Sequence, residues 1–160
     1  MTHDELDGPE LLAAALRLAA LVHAEQVDKA GQPYLAHPMR VAARLVSEGD
    51  HAVAAGLLHD VVEDSATTVE NLRTAGIPVS VCTAVDALSK RPAESYEHAV
   101  ERAAADPLAA KVKAADIADN SDPSRLALLD QDTRQRLETK YATGRRLLAA
   151  HVVGGAPTDR

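Results

Sequence analysis

Val53-Ala54-Ala55-Gly56-Leu57-Leu58-His59-Asp60-Val61-Val62 is apolar on nearly every side except at His59 and Asp60. A run of that kind reads as a helix buried all round. A carboxylate inside such a helix is costly unless it is paired, hydrogen-bonded or bound to a metal. Glu63 and Asp64 follow one turn later and bring two more carboxylates to the same end. This cluster of negative charge in a core helix points to a divalent cation.

The rest of the chain fits one helical domain. Its 160 residues suffice for a full core. Hydrophobic residues make up 46%, but with no Phe or Trp the core must be built from Ala, Leu and Val, which suits closely packed helices. No run approaches the ~18 apolar residues of a membrane span. The polar start Met1-Thr2-His3-Asp4-Glu5 does not read as a signal peptide, and none is expected. A lone Cys82 excludes an intrachain disulfide and a cysteine-rich zinc site, and fits a reducing cytoplasm. A net charge of −7 argues against a nucleic-acid partner, since such proteins present a basic face. Neither a membrane nor a nucleic-acid partner is expected, and the oligomeric state is not legible.

Pro9, Pro38, Pro78, Pro107 and Pro123 stand where first helical turns would begin, with Asp106 and Asp122 as N-caps and Thr67-x-x-Glu70 as a capping box. Helices are predicted at 9–26, 38–48, 50–63, 67–75, 78–88, 94–104, 107–119, 123–129 and 130–151. No alternation long enough for a strand occurs. The first helix would turn Leu12, Leu16, Ala19, Ala20 and His23 inward, and the last Leu137, Tyr141, Leu148 and His151. The fold class is all-α. Residues 9–151 form the predicted domain, with 1–8 an N-terminal tail and 152–160 a flexible C-terminal tail beyond the last helix.

Three segments bring metal-binding chemistry: the turn-rich Lys29–Pro38, which delivers His37; His59-Asp60; and Lys113–Asn120, where Asp116 and Asn120 share a helical face. His37, His59, Asp60 and Asp116 would supply two imidazoles and two carboxylates. That set suits Mn²⁺, Fe²⁺, Zn²⁺ or Co²⁺ and leaves a position open for substrate. Taken singly, His37 also reads as a capping or loop histidine and Asp116 as a solvated residue. His23 reads as a core histidine, His51 as a cap or surface residue.

The order His37, His59-Asp60, Asp116 resembles the H…HD…D pattern of HD-domain metal-dependent phosphohydrolases. Gly31-Gln32-Pro33-Tyr34-Leu35-Ala36-His37-Pro38 is similar to the G-x-P-Y-x-x-H-P segment of the RelA/SpoT hydrolase domains. Leu57-Leu58-His59-Asp60-Val61-Val62-Glu63-Asp64-Ser65 resembles their L-L-H-D-x-x-E-D-T/S motif, and Lys113–Asn120 their K-x-A-D-x-x-x-N. The resemblance implies a compact HD-domain helical bundle of about seven to nine helices that holds Mn²⁺ and removes the 3′-pyrophosphate of (p)ppGpp. It implies His37, His59, Asp60 and Asp116 as metal ligands, and Glu63 and Asp64 as the pair that orients or activates water. Asn120 would contact the nucleotide and Lys29 the base, with Lys90 and Tyr141 near the phosphates. A chain this short resembles the stand-alone small alarmone hydrolases.

Three positions depart from that pattern. Asp28-Lys29 replaces a basic pair, Ala30 replaces a hydrogen-bonding residue, and Asp119 stands where many members have His. Charge reversal at Asp28, which loses a charge-assisted hydrogen bond and adds a repulsion, is expected to cost more than ~1–3 kcal/mol of substrate binding. It keeps open an adenine alarmone, NADPH or another nucleotide phosphoester as substrate. The competing classes are a nucleotide-binding module without turnover and a purely structural helical domain.

Overall fold

The computed structural model describes residues 5–154 and is all-α, with nine α-helices among the described residues. These are α1 (Gly8–Val22), α2 (Ala36–Ala43), α3 (Asp50–Leu58), α4 (Val69–Thr74), α5 (Val79–Leu88), α6 (Tyr96–Ala104), α7 (Pro107–Asn120), α8 (Pro123–Leu126) and α9 (Gln131–Gly154). One 3₁₀ turn, Val46–Glu48, joins α2 to α3. Only an isolated bridge, Val27 to Pro33, interrupts the helical pattern.

α3 forms the centre of the bundle. It packs on α1, α2, α5 and α7, with Ala52, Ala54, Ala55, Gly56, Leu57 and Leu58 all buried. Small side chains make this possible: Ala14, Ala15 and Ala19 of α1 are buried too. The nearest approach is at Gly56, where an added Cβ would meet Ala42 Cα at 3.1 Å and Leu45 Cδ1 at 2.9 Å. Glycine at position 56 therefore sets how closely α3 lies against α2. A second cluster, Ile117, Leu126, Leu137 and Tyr141, joins α7, α8 and α9.

Several predicted boundaries move, each for a local reason. α1 stops at Val22 instead of 26, because the backbone beyond the cap at His23 turns into the loop that leads to His37. The predicted 50–63 helix ends at Leu58. Val61 N donates to Leu58 O, tightening the chain after the helix, so His59 and Asp60 follow the core helix instead of lying within it. α2 starts at Ala36, before Pro38, and gives way to the 3₁₀ turn after Ala43. The capping box is Thr68 with Asn71, not Thr67 with Glu70: Asn71 N donates to Thr68 Oγ1 and Thr68 N donates to Asn71 Oδ1. The sixth helix starts at Tyr96 instead of 94, with Ser95 capping it through His98 N. Asp106 and Asp122 do cap α7 and α8.

The packed faces also shift. Leu16 is exposed while Leu11 and Ala15 are buried, and His151 is exposed although Leu137 and Tyr141 are buried. Glu5 and Leu6 belong to the folded body and not to a tail. Glu5 accepts from Val79 N at the start of α5, and Leu6 N donates to Gly76 O. α9 continues through Gly154, past the predicted end at 151; residues 1–4 and 155–160, the outer parts of the expected tails, lie outside the described residues. No helix of the described residues is long and apolar enough to cross a membrane.

Gly56→Ala is expected to lower stability by about 1–3 kcal/mol in urea unfolding, the usual cost of overpacking a tight contact. Unchanged stability would show that α2 and α3 separate freely.

Candidate metal centre

Three helix ends deliver the four predicted ligand side chains. His37 lies in the first turn of α2, His59 and Asp60 follow α3, and Asp116 lies near the end of α7. His37 Nε2 is 3.1 Å from Asp116 Oδ1 and 3.8 Å from Asp60 Oδ2. His59 Nε2 is 3.0 Å from Asp60 Oδ2 and 3.7 Å from Asp116 Oδ1. Donor atoms of His37, His59 and Asp60 all lie within 4.8 Å of one another.

The remaining ring nitrogens are already engaged. His59 Nδ1 donates to Gly56 O at 2.7 Å, and His37 Nδ1 donates to Asp119 Oδ2 at 2.7 Å. A carbonyl or carboxylate only accepts, so each Nδ1 carries a hydrogen, and a ring in its neutral form turns its lone pair inward from Nε2. His59 Nε2 is buried with no hydrogen-bond partner; its 3.0 Å approach to Asp60 is not aligned as a hydrogen bond. An orphaned buried nitrogen facing two carboxylates is the environment a cation satisfies. The donor set and its orientation thus fit a divalent metal.

The carboxylates draw positive charge to the same point. Burial opposes charge on His59, but the Asp60 and Asp116 carboxylates outweigh it and raise the imidazole well above its usual range. Burial also opposes ionisation of Asp60, yet the His59 charge holds that carboxyl at about 2. Asp116 is further tied by Lys113 Nζ at 2.9 Å and Asn120 Nδ2 at 2.7 Å. The Tyr34 hydroxyl donates to Asp60 Oδ2 at 2.5 Å. Tyr34 belongs to the G-x-P-Y stretch, where nothing in the local sequence marks its contact with Asp60, 26 positions away.

Glu63 and Asp64 stand in the turn after α3 and are exposed. Partial burial, then Asp60 and Glu63, push Asp64 up to about 6. Glu63 is raised by partial burial and by Asp60, with the Lys113 and Lys90 charges acting against them. Lys90 accordingly lies on the Glu63 side of the site.

A cavity of about 510 Å³ adjoins His37, large enough for a nucleotide. Lys29, Asn120 and Tyr141, all expected near substrate, line it, whereas Lys90 does not. Lys140 and Arg125 line it as well, and sequence reasoning missed both. The ammonium of Lys140 sits 4.7 Å over the Tyr96 ring and 5.8 Å from the Tyr141 ring centre. Burial lowers its affinity for a proton, and the Lys29, Lys113 and Lys90 charges lower it further. Lys29, Arg125 and Lys140 lining one cavity of a −7 protein favour a polyanionic ligand. The only sequence signal for Lys140 was its place next to Tyr141.

Asp28 departs from its expected effect. Its Oδ1 accepts from Ala30 N and Gln32 N at 2.8 and 2.9 Å, and its Oδ2 meets Arg125 Nη2 at 3.4 Å. The carboxylate shapes the loop and is answered by a cation from α8, so the charge reversal is not left uncompensated.

A family model described as HD domain matches residues 15–153. A guanosine-3′,5′-bis(diphosphate) 3′-pyrophosphohydrolase of Aquifex aeolicus is 34% identical over 121 residues, 69% of this chain and 17% of the relative. A probable enzyme of the same name from Synechocystis is 46% identical over 72 residues, 43% of this chain and 10% of the relative. The chain thus spans less than a fifth of the length of either curated relative. A solved structure, described as a metazoan ortholog of SpoT that hydrolyzes ppGpp and plays a role in starvation responses, superposes with a TM-score of 0.74. It is 26% identical and covers 89% of this chain and 88% of its own.

Two outcomes follow for the metal-free and metal-loaded protein. Mn²⁺ at a hundred times its dissociation constant should stabilise the wild type by about 2.7 kcal/mol and leave Asp60→Ala unmoved at the same concentration. A raised carboxyl holds a proton that the unfolded chain releases, so the contribution of Asp64 is present at low pH and lost as pH rises from the ordinary 3.8 to about 6. Metal-free Asp64→Asn should therefore melt above the wild type at pH 7.5 and level with it at pH 4. Equal melting at both pH values would contradict the shift.

Proposed function

The chain belongs to the HD-domain family, and from that membership we propose that it is a metal-dependent hydrolase that removes the 3′-pyrophosphate of (p)ppGpp. The observation that carries this reading is the pair of inward-facing Nε2 atoms on His37 and His59, opposite Asp60 and Asp116 and beside a cation-lined cavity. The names of the relatives and of the solved neighbour supply the substrate class. We assign the four side chains as ligands of an Mn²⁺-like ion, with Fe²⁺, Zn²⁺ and Co²⁺ as chemically related occupants. The catalytic domain is the helical body from α1 to α9 with Glu5 and Leu6 packed on it, and the protein works in the cytoplasm on a small-molecule nucleotide.

When bound, the ion polarises a phosphoryl oxygen and acidifies water. The chain's own groups do the rest. Asp64, held near neutrality, takes the proton of the attacking water, and Glu63 orients that water. The water oxygen bonds to the phosphorus on the 3′ oxygen, the 3′ O–P bond breaks, and a proton completes the 3′-hydroxyl. Lys113 holds Asp116 in place on one side, and Tyr34 holds Asp60 on the other. Lys90, on the Glu63 side, faces the departing pyrophosphate. Lys29, Asn120, Lys140 and Tyr141 hold the rest of the nucleotide in the cavity.

Incubation with ppGpp and Mn²⁺ should release pyrophosphate and GDP, and EDTA should abolish it. Pairing Glu63→Gln with Asp64→Asn should cut kcat at least ~100-fold, the scale of general-base catalysis, while nucleotide still binds. Lys140→Met should raise KM about tenfold with kcat nearly kept, the cost of one charged contact. If pppGpp, ppGpp, their adenine analogues and NADPH are all left intact with every divalent metal tried, the enzyme reading fails. Orthophosphate released only from NADPH or another nucleotide would overturn the substrate.

A further inference from the structure

We propose that Asp119 is a positioning residue that orients His37 toward the metal centre and, through Arg125, sets the substrate loop around Asp28. The inference rests on the ligand set assigned above but concerns groups outside it. Asp119 is 1% exposed, and a carboxylate so deep needs a partner. Arg40 alone would supply one: its Nε donates to Oδ1 at 2.8 Å and its Nη2 to Oδ2 at 3.2 Å. Yet Oδ2 takes two further contacts, His37 Nδ1 and Arg125 Nη1, both at 2.7 Å. Neutralising Asp119 does not require them.

Each extra contact leads to a different part of the site. The first fixes the hydrogen of His37 on Nδ1, so the opposite nitrogen faces Asp60 and Asp116. The second leads outward. Arg125 Nη2 reaches Asp28 Oδ2 at 3.4 Å, and Asp28 organises residues 28–32 through Ala30 N, Gln32 N and its own N–H to Gln32 O. One buried carboxylate therefore ties a metal ligand on α2, a cation on α8 and the cavity loop into a single hydrogen-bonded chain. Asp28 and Asp119, two departures from the resembled pattern, are both members of it.

Asn at 119 can offer N–H to His37 Nδ1 and so move the ring hydrogen to Nε2, where it blocks a metal. Asp119→Asn should weaken Mn²⁺ binding by roughly 10–100-fold, the effect typical of losing such a partner. Long-range ¹H–¹⁵N spectra of the metal-free protein, at a pH where the imidazoles are neutral, should show His37 hydrogenated on Nδ1 in the wild type and on Nε2 in the variant. Arg125→Met should leave the His37 tautomer and Mn²⁺ affinity within about threefold of wild type, yet speed amide exchange at residues 30–32 by about tenfold. Arg40→Met serves as the structural control: it should lower the melting temperature and alter neither the tautomer nor loop exchange.

An unchanged tautomer in Asp119→Asn overturns the inner half of the proposal. Unchanged loop exchange in Arg125→Met overturns the outer half. Both readouts use metal-free protein, so they decide the proposal even if the wild type binds no Mn²⁺ or releases no pyrophosphate, results that would instead defeat the functional reading.

Discussion

Two imidazoles and two carboxylates, each imidazole 3.0–3.8 Å from both carboxylates, fix how α2, α3 and α7 meet. Such groups cannot be left at arbitrary spacing. Burial opposes ionisation of Asp60 and Asp116 and opposes a charge on His59, and the opposite charges nearby outweigh it. The helices that carry them must therefore come together at their ends and stay there. The alanine-rich contacts of α1 with α3, and the glycine at position 56, are the packing that allows this approach.

Gly56 has a second part in the same arrangement. Its missing side chain admits α2, and its carbonyl accepts the Nδ1 hydrogen of His59. One residue thus controls both the distance between two ligand-bearing helices and the direction in which one ligand faces. The tightening of the chain just after Leu58 completes the effect by releasing His59 and Asp60 from the helix at the point where they are needed.

Charge is distributed to suit a polyanion in a protein that is itself acidic. Negative groups concentrate at the centre, where a divalent ion would offset them. Lys29, Lys90 and Lys113 lie close enough to Lys140 to lower its affinity for a proton. The rings of Tyr96 and Tyr141 hold Lys140 in this crowd by their π faces. A net charge of −7 therefore says little about the local field that a phosphate would meet.

The sequence by itself determined the helical class and the chemistry of the four-residue cluster. An apolar run broken by His59-Asp60 signals a buried polar group from neighbouring positions alone, and proline and aspartate mark helix starts within a turn. It left the ends of helices loose: the stop at Leu58 and the turn after Val22 answer to the site and not to local propensity. Only the tertiary structure decided what stands behind the cluster. Asp119 meets His37 across 82 positions, and Arg125 meets Asp28 across 97. Nothing in the sequence beyond its place next to Tyr141 sets Lys140 apart, and it is the packing of α6 against α9 that brings the Tyr96 ring under its ammonium. Periodicity reports which side of an element is buried. Which distant side chain a charge will meet depends on how the finished helices pack.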